Sequence, residues 1–358
     1  MQDIHPIINS FAIEGELLSV QANKSGHINS TYIATFSDGR KYTIQRVNRA
    51  VFPRPEAVMQ NIHLITSHIQ QKVDLLPDAT KRCLSLVPSK TGEHFTLDED
   101  GELWRAYRYI DEVDVFPFLD DAQLAYRFGE AVGTFQAYLA DFPAEQLSTT
   151  IEKFHHMGHR YAQLREAMLN NRVNRLNAVE AEVSYLLGEE KRGMALTNAL
   201  ESGEVPLRVT HNDTKISNIL FDKKTKEGIC MIDLDTVMGG TILFDTGDML
   251  RTGSITASED EQDLGKVHCD AALFTAMLEG YRAKAGSFLT QTETLLLAES
   301  GRATTQIMAV RFLTDYLNGD VYYHTEHPTH NLDRARTQIA LIQDMDRKWD
   351  EIAHQEHL

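Results

Sequence analysis

The sequence predicts an α+β protein of two lobes: a small antiparallel β-sheet lobe over residues 1–112 and a larger, mainly helical lobe over residues 113–358. The front of the chain has short β-branched and aromatic runs separated by turn signals. After about Asp114, apolar residues recur at helical spacing. The stretch Leu207–Met249 interrupts these helices and is predicted to be rich in β-strand. The lobes are expected to meet within the segment Tyr109–Pro117.

The first lobe is predicted to hold several strands and one helix. Thr31–Ser37 and Lys41–Val47 are rich in β-branched and aromatic residues, and Asp38-Gly39 between them is a hairpin turn signal. Pro55–Gln71 has apolar residues every three or four positions, which predicts a helix. The other candidate strands are Glu16–Ala22, Cys83–Val87 and Leu103–Ile110.

The second lobe shows amphipathic periodicity in several places. Its first helix is predicted from apolar residues at three- and four-residue spacing: Leu124, Phe128, Val132, Phe135 and Leu139. Similar apolar stripes lie within residues 176–186, 274–281 and 307–317. Because these stripes each need a partner surface, we expect a helical lobe with one shared core.

Composition limits the partners and the compartment. The chain has 358 residues with 35 basic and 52 acidic side chains, for a formal charge of −17, so neither nucleic acid nor an anionic membrane is an expected partner. Its three cysteines are far apart and show no CxxC spacing, which disfavours disulfides and favours a reducing compartment. No signal peptide or 18-residue apolar stretch is evident, and we expect a cytoplasmic protein.

The strongest chemical signal lies in the polar loop after a short strand at Leu207. His211, Asp213 and Asn218 match the spacing H-x-D-x-x-x-x-N of a kinase catalytic loop. In such a loop Asp213 would orient an acceptor hydroxyl and take its proton. Asn218 and Asp233, which ends a later strand, would bind magnesium through oxygen atoms. Lys215 would neutralise charge on the moving γ-phosphate.

Two other interpretations of these residues stay open at this point. The loop residues would also suit a polar turn without catalytic function. Residues 233–237, with the sequence DLDTV, match D-x-D-x-[TV], the nucleophile loop of haloacid-dehalogenase-type phosphatases, in which the first Asp attacks phosphate. Their position two-thirds along the chain, behind a kinase-like loop, favours the kinase.

His155 and His159 would share a helical face, but solvated or capping histidines are favoured over a zinc site.

The segment HNDTKISN, followed by IDLDT, resembles the aminoglycoside phosphotransferase and choline kinase superfamily. Further segments resemble the N-acetylhexosamine 1-kinases over nearly the whole chain: GHINSTY, VTHNDTKISNIL, IDLDTVM, LFDTGD, DLGKVH, RFLTDYLNGDVYY and NLDRARTQIALIQDM. This resemblance implies a protein-kinase-like fold and the use of ATP and Mg²⁺. The implied reaction transfers the γ-phosphate to the 1-hydroxyl of N-acetylglucosamine or N-acetylgalactosamine.

The resemblance also implies residue roles. The catalytic residues would be Asp213 and Lys215, the magnesium ligands Asn218 and Asp233, and the supporting residues His211 and Asp235. The sugar would be bound by His27, Arg311 and Tyr322, and the nucleotide by Gly26, Tyr109, Ile110 and Asp111. Arg311, which lies in an apolar helical stripe, would equally suit a structural ion pair, and Tyr322 would equally suit an ordinary core position.

One departure from protein kinases affects the nucleotide phosphates. The third strand of a protein kinase carries a lysine for the α- and β-phosphates, and here that position is Gln45. Arg46 is adjacent, but strand alternation directs it to the other face. Two alternative functions therefore stay open: a kinase of the same fold for choline, homoserine, an aminoglycoside or another sugar, and a non-catalytic nucleotide-binding protein. The oligomeric state is not predicted.

Overall fold

The computed structural model describes residues 4–23 and 28–353 and has the predicted α+β fold, with an antiparallel sheet followed by a helical region. After a short helix α1 (His5–Ser10), the sheet contains five strands in the order β1-β2-β3-β5-β4. These strands are β1 (Leu17–Asn23), β2 (Ser30–Phe36), β3 (Lys41–Arg46), β4 (Thr96–Leu97) and β5 (Leu103–Arg108). A long helix, α2 (Pro55–Val73), follows β3.

The two faces of the sheet have different partners. Trp104 and Ala106 of β5 pack with α1 in a small apolar cluster. Leu103 and Tyr107, which point the opposite way, pack with the apolar face of α2 in the main core. Arg105 therefore lies on the α2 side of the sheet, and its register partner across the antiparallel ladder is Gln45 of β3.

The predicted strand at Cys83–Val87 is wrong as a regular strand. The segment runs beside β5 and forms two backbone hydrogen bonds with it, from Val87 N to Ala106 O and from Arg108 N to Ser85 O, at 2.8 and 2.9 Å. Pro88 follows and has no N–H to extend the ladder. The segment is therefore extended and attached to the sheet, but it makes too few backbone hydrogen bonds to form a regular strand.

The remainder of the chain is mainly helical. Its helices are α3 (Ala122–Leu139), α4 (Met157–Asn170), α5 (Glu180–Gly188), α6 (Glu190–Gly193), α7 (Ala195–Ser202), α8 (Ile242–Ser254), α9 (Ala271–Ala285), α10 (Gln291–Asn318), α11 (His330–Arg347) and α12 (Trp349–Ala353). None of the helices in the described ranges is long and apolar enough to cross a lipid bilayer. The lobe boundary between residues 112 and 113 stays a prediction.

Two small sheets lie between these helices and carry the polar loops. One pairs β7 (Arg208–Thr210) with β10 (Met238–Gly240). The other contains β6 (Val113–Asp114), β8 (Ile219–Asp222) and β9 (Gly228–Met231), in the order β6-β8-β9. The β6–β8 pairing joins the segment after the large sheet to the helical region.

The β-rich interruption predicted for Leu207–Met249 ends earlier than expected, because α8 begins at Ile242. Thr241 caps this helix by accepting a hydrogen bond from Leu243 N at 3.3 Å. Almost every residue of α8 is buried, including the polar residues Asp245, Asp248 and Arg251. Its polar residues at helical spacing, Asp245 and Asp248, form buried contacts instead of a solvent-exposed face.

Helices α3 and α9 are in backbone contact. A Cβ atom placed on Gly129 would lie 2.0 Å from Met277 O, and one placed on Gly280 would lie 2.0 Å from Tyr126 O. Both distances are far below any van der Waals separation. Only glycine fits at these two positions, and the two helices form one closely packed support beneath the polar loops.

Candidate active site

The predicted catalytic loop is held in place by a buried carboxylate. Asp245, in the first turn of α8, is fully buried and accepts hydrogen bonds from His211 N at 2.9 Å and Asn212 N at 2.7 Å. Gln136 of α3 donates to the same carboxylate at 2.9 Å, and the Tyr281 hydroxyl of α9 donates to Gln136. Burial raises the pKa of Asp245, while the hydrogen bonds to its charged form oppose that rise.

His211 ties the loop to the end of β9. Its Nδ1 accepts from Asp213 N at 3.2 Å and its Nε2 donates to Ile232 O at 2.9 Å. Asn212 between them has a left-handed backbone, with φ of 68°, a conformation that asparagine tolerates. The His211 side chain thus connects Asp213 with Ile232, the residue before Asp233.

Asp213 lies among three polar groups. Lys215 Nζ donates to its Oδ2 at 2.9 Å, and Asn218 Nδ2 donates to its Oδ2 and to its carbonyl oxygen, both at 2.9 Å. Burial alone would raise the pKa of Asp213, but the charge and hydrogen bond of Lys215 lower it, with help from His211 and Asn218. The carboxylate is ionised at neutral pH, and 32% of the side chain remains exposed to the cleft.

Asp233 follows β9 and carries a second carboxylate into the cleft. Its backbone is left-handed, with φ of 63°. Although the side chain of Asp233 reaches solvent, its partial burial and the negative charges of Asp235 and Asp213 raise its pKa to about 6, while Lys215 and Arg105 oppose the rise. Asp233 therefore carries negative charge that the surrounding protein does not fully compensate, as expected where a cation binds.

The donor set around Asp233 suits a hard divalent cation. Asn218 uses its amide nitrogen on Asp213, and its Oδ1 accepts no hydrogen bond from the described residues. The oxygen atoms of Asn218 and Asp233 are thus free to bind Mg²⁺, which prefers oxygen ligands and retains phosphate and water ligands as well. The magnesium assignment of these two residues stays a prediction.

Asp235, the predicted supporting residue, connects the helical region to the sheet. It forms an ion pair with Arg105 of β5, and both side chains are almost completely buried. Asn29, in the loop before β2, donates to its other oxygen at 2.5 Å. Arg105 Nε also donates to Gln45 Oε1 at 3.0 Å. The residue found in place of the kinase lysine is therefore bonded to a buried arginine on the next strand.

Arg311 of α10 is surrounded by aromatic rings, and its charge and that of Asp213 both act on the buried His155. Its guanidinium carbon lies 4.9 Å from the Phe154 ring centre, 5.8 Å from that of Tyr322 and 5.5 Å from that of Tyr323. Burial, and secondly the positive charge of the nearby Arg311, lower the pKa of Arg160 in α4 to about 10. Neither arginine forms an ion pair with a described residue, whereas most arginines of this acidic chain do.

Tyr322 is held by a backbone cap rather than by core packing. The Asp315 carboxylate accepts hydrogen bonds from Val321 N at 3.0 Å and from Tyr322 N and Tyr323 N at 2.9 Å. Tyr322 remains 61% exposed, which excludes the core position considered for it from sequence. Asp315 positions the loop that brings this ring to Arg311.

The predicted nucleotide residues lie between the large sheet and β6. Tyr109 is 40% exposed, and Lys41 Nζ lies 5.3 Å from its ring centre. Asp111 pairs with the same lysine at 2.8 Å, while Ile110 is buried against Leu220. Adenine contacts at these positions stay a prediction. Gly26 and His27 lie outside the described residues.

The roles of four polar residues around the site are not predicted by the sequence. Asp245 holds the loop of His211 and Asn212 through two backbone hydrogen bonds. Arg105, Arg160 and Asp315 had no local motif to mark them. A weak signal existed for Arg105, because a charged residue in the middle of an apolar strand needs a buried partner.

We expect Asp245→Asn to lower kcat by about 10- to 100-fold while leaving nucleotide affinity nearly unchanged, because a small displacement of the loop misplaces Asp213. The side-chain amide of the variant has one acceptor oxygen, whereas the carboxylate of Asp245 has two. Steady-state kinetics and nucleotide titration check this, with Asp222→Asn as a control, since Asp222 caps an exposed turn. Equal losses of kcat and nucleotide affinity would contradict a role confined to the catalytic loop.

Comparison with known proteins places this geometry in a family. The model of the phosphotransferase enzyme family matches residues 19–283. The fold is shared with an aminoglycoside phosphotransferase from Alicyclobacillus acidocaldarius, with 14% identity over 98% of this chain and 96% of that one and a TM-score of 0.64. It is also shared with an amicoumacin kinase in complex with AMP-PNP and Ca²⁺, with 13% identity over 95% and 93% of the two chains and a TM-score of 0.63.

A microcompartment-associated aminopropanol kinase has the same fold, with 11% identity, coverage of 97% of both chains and a TM-score of 0.59. At these identities the structures show the common fold, while the family match covers most of the chain. The chain therefore belongs to the phosphotransferase enzyme family and is a small-molecule phosphotransferase.

Proposed function

We propose that this phosphotransferase transfers the γ-phosphate of ATP to the 1-hydroxyl of an N-acetylhexosamine, giving the sugar 1-phosphate. The nucleotide is proposed to lie between the large sheet and the segment Tyr109–Asp111, with its phosphates toward Asp233. The amicoumacin kinase of the same fold is in complex with AMP-PNP, which supports a nucleotide in this cleft. The sugar is proposed to lie between Asp213 and Arg311.

In this function the protein positions the reactants and compensates charge. Asp213 accepts a hydrogen bond from the acceptor hydroxyl, orients it toward the γ-phosphate and takes its proton. Lys215, bonded to Asp213, shares its positive charge with the transferring phosphoryl group. Asn218 and Asp233 hold the magnesium ion, which supplies positive charge to the phosphate oxygens.

The observation that carries the choice of acceptor is the pair Arg160 and Arg311. Two guanidinium groups, one of them stacked among three aromatic rings, lie close together on the proposed acceptor side and form no ion pair with a described residue. Such a site repels ammonium groups, which disfavours aminoglycosides, choline and amino alcohols. A neutral sugar instead offers hydroxyl and acetamido oxygens to guanidinium donors and a flat face to an aromatic ring.

The test is ADP release with ATP and Mg²⁺ over a panel of acceptors: N-acetylglucosamine, N-acetylgalactosamine, glucose, galactose, choline, homoserine and kanamycin. Turnover confined to the N-acetylhexosamines, with NMR showing phosphate on C1, supports the proposal. Turnover on a cationic acceptor alone would overturn the acceptor while leaving the phosphotransferase in place. Absence of turnover and of nucleotide binding would favour a non-catalytic protein.

We expect Arg311→Gln to raise the KM for the sugar by about 10- to 100-fold with little change in the KM for ATP, because it removes charged donors from the sugar site. Steady-state kinetics with each substrate varied in turn measure both constants. Arg165→Gln is the matched control, since Arg165 also lies over a tyrosine ring, at 5.7 Å, but is paired with Glu190. An equal rise in both KM values would show that Arg311 supports the fold rather than the sugar.

A further inference from the structure

The residue opposite Gln45 on the neighbouring strand is an arginine. Gln45 stands where a kinase has the lysine that holds the α- and β-phosphates. In the antiparallel register, Arg105 of β5 lies directly opposite Gln45, and its Nε donates to Gln45 Oε1 at 3.0 Å. The two side chains share one face of the sheet, so the positive charge missing from β3 is present beside it.

The surroundings of Arg105 correspond to those that a phosphate-holding cation needs. A kinase lysine is held by a glutamate of the following helix. Here Glu56 in the first turn of α2 is exposed and pairs with Arg49, and Asp235 is the counterion of Arg105 instead. Asp235 is two residues from Asp233, and the charge of Arg105 also acts on Asp233. The guanidinium therefore lies near the proposed metal site.

Two further features direct Arg105 toward the nucleotide. Asn29, in the loop before β2, donates to Asp235 at 2.5 Å, which places that loop beside the Arg105–Asp235 pair. Arg105 Nη2 donates to no acceptor among the described residues, whereas Nε and Nη1 are both used. A guanidinium that uses Nη1 on a carboxylate and Nε on an amide can still donate from Nη2 to a second anion.

We propose that Arg105 is the cation that holds the α- and β-phosphates of the nucleotide, in place of a lysine at position 45, with Asp235 as its counterion. This inference rests on the nucleotide-dependent transfer proposed above, but not on the identity of the acceptor. In this arrangement Gln45 fixes the orientation of the guanidinium by accepting a hydrogen bond from its Nε–H. It also explains how the chain dispenses with both members of the usual lysine–glutamate pair.

The test is the calorimetric titration of the full chain with ADP and, separately, with adenosine. For Arg105→Met we expect ADP affinity to fall by about 10- to 100-fold, the loss of a charge-assisted contact, with adenosine affinity within about threefold of wild type. Arg46→Met is the matched control: it removes the same charge from the neighbouring strand, on the opposite face, where Arg46 lies over Trp104. Its ADP affinity should stay within about threefold of wild type.

Because Arg105→Met leaves Asp235 without its partner, a second variant restores the charge from the other strand. In the double variant Arg105→Met with Gln45→Lys, the new ammonium lies opposite position 105 and near Asp235, and we expect ADP affinity within about fivefold of wild type. Equal losses of ADP and adenosine affinity in Arg105→Met, or no recovery of ADP affinity in the double variant, would assign Arg105 to structure alone. Wild-type protein that binds neither ligand would instead overturn the nucleotide-dependent function.

Discussion

Asp213→Asn is expected to lower the rate of phosphoryl transfer by about 1,000-fold or more, while ADP still binds. The amide cannot take the proton of the acceptor hydroxyl, yet it has the shape of the carboxylate and can keep a hydrogen bond from Asn218. Single-turnover kinetics with radiolabelled ATP measure the chemical step directly. Nucleotide titration of the same preparation shows whether the cleft remains intact.

Asn218→Asp is an informative companion to this variant, because it keeps an oxygen ligand for the metal but removes the amide that bonds Asp213. It should shift the dependence on magnesium concentration, whereas Asp213→Asn should leave that dependence unchanged. A rate for Asp213→Asn within about tenfold of wild type would exclude Asp213 as the base. In that case the acceptor hydroxyl would lose its proton without help from this carboxylate.

Asp233→Asn is expected to remove activity by at least about 100-fold and, without metal, to raise the melting temperature by about 1–2 °C at pH 7.5. The loss follows from the missing metal ligand. The gain follows from the pKa of Asp233, which burial and the charges of Asp235 and Asp213 raise to about 6. Folding favours the protonated carboxyl at this position, so at neutral pH its ionised form destabilises the metal-free protein.

The raised pKa of Asp233 also predicts how the difference in melting temperature depends on pH. The folded-state pKa is about 6 and the ordinary value is 3.8, so the contribution of Asp233 to stability decreases as pH rises through this window. The difference in melting temperature between Asp233→Asn and wild type should therefore be present at pH 7.5 and absent near pH 4. Thermal unfolding in EDTA across this range measures it. A melting temperature of the variant below that of wild type at pH 7.5 would contradict the charge repulsion.

The sequence predicts the features whose signals are local. The strands around Asp38-Gly39, the helix from Pro55 and the order of sheet and helical region are confirmed, because alternation and turn residues reflect neighbours in the chain. The spacing of His211, Asp213 and Asn218 is also local, and the structure brings these three together with Lys215. The roles assigned to these residues stay predictions.

The features that the sequence does not predict depend on contacts between distant segments. Arg105 acquires its surroundings from a strand register with Gln45 and from Asp235, which is 130 positions later in the chain. Arg160 meets Arg311 only through the packing of α4 on α10. Helix α8 is almost entirely buried, and its polar residue Asp245 finds its partners in the distant backbone of His211 and Asn212. In each case the deciding neighbour is tertiary and leaves no mark on the adjacent sequence.

Because α3 and α9 are in backbone contact, the two glycines at that contact, Gly129 and Gly280, can affect the catalytic rate. Gln136 and Tyr281, which together support Asp245, come from these two helices, within eight residues of Gly129 and Gly280. A methyl group at either glycine would force the helices apart and withdraw that support from the catalytic loop. Kinetic defects would then arise from positions that touch neither nucleotide nor acceptor, and a genetic screen for lost activity would find them beside the true catalytic residues.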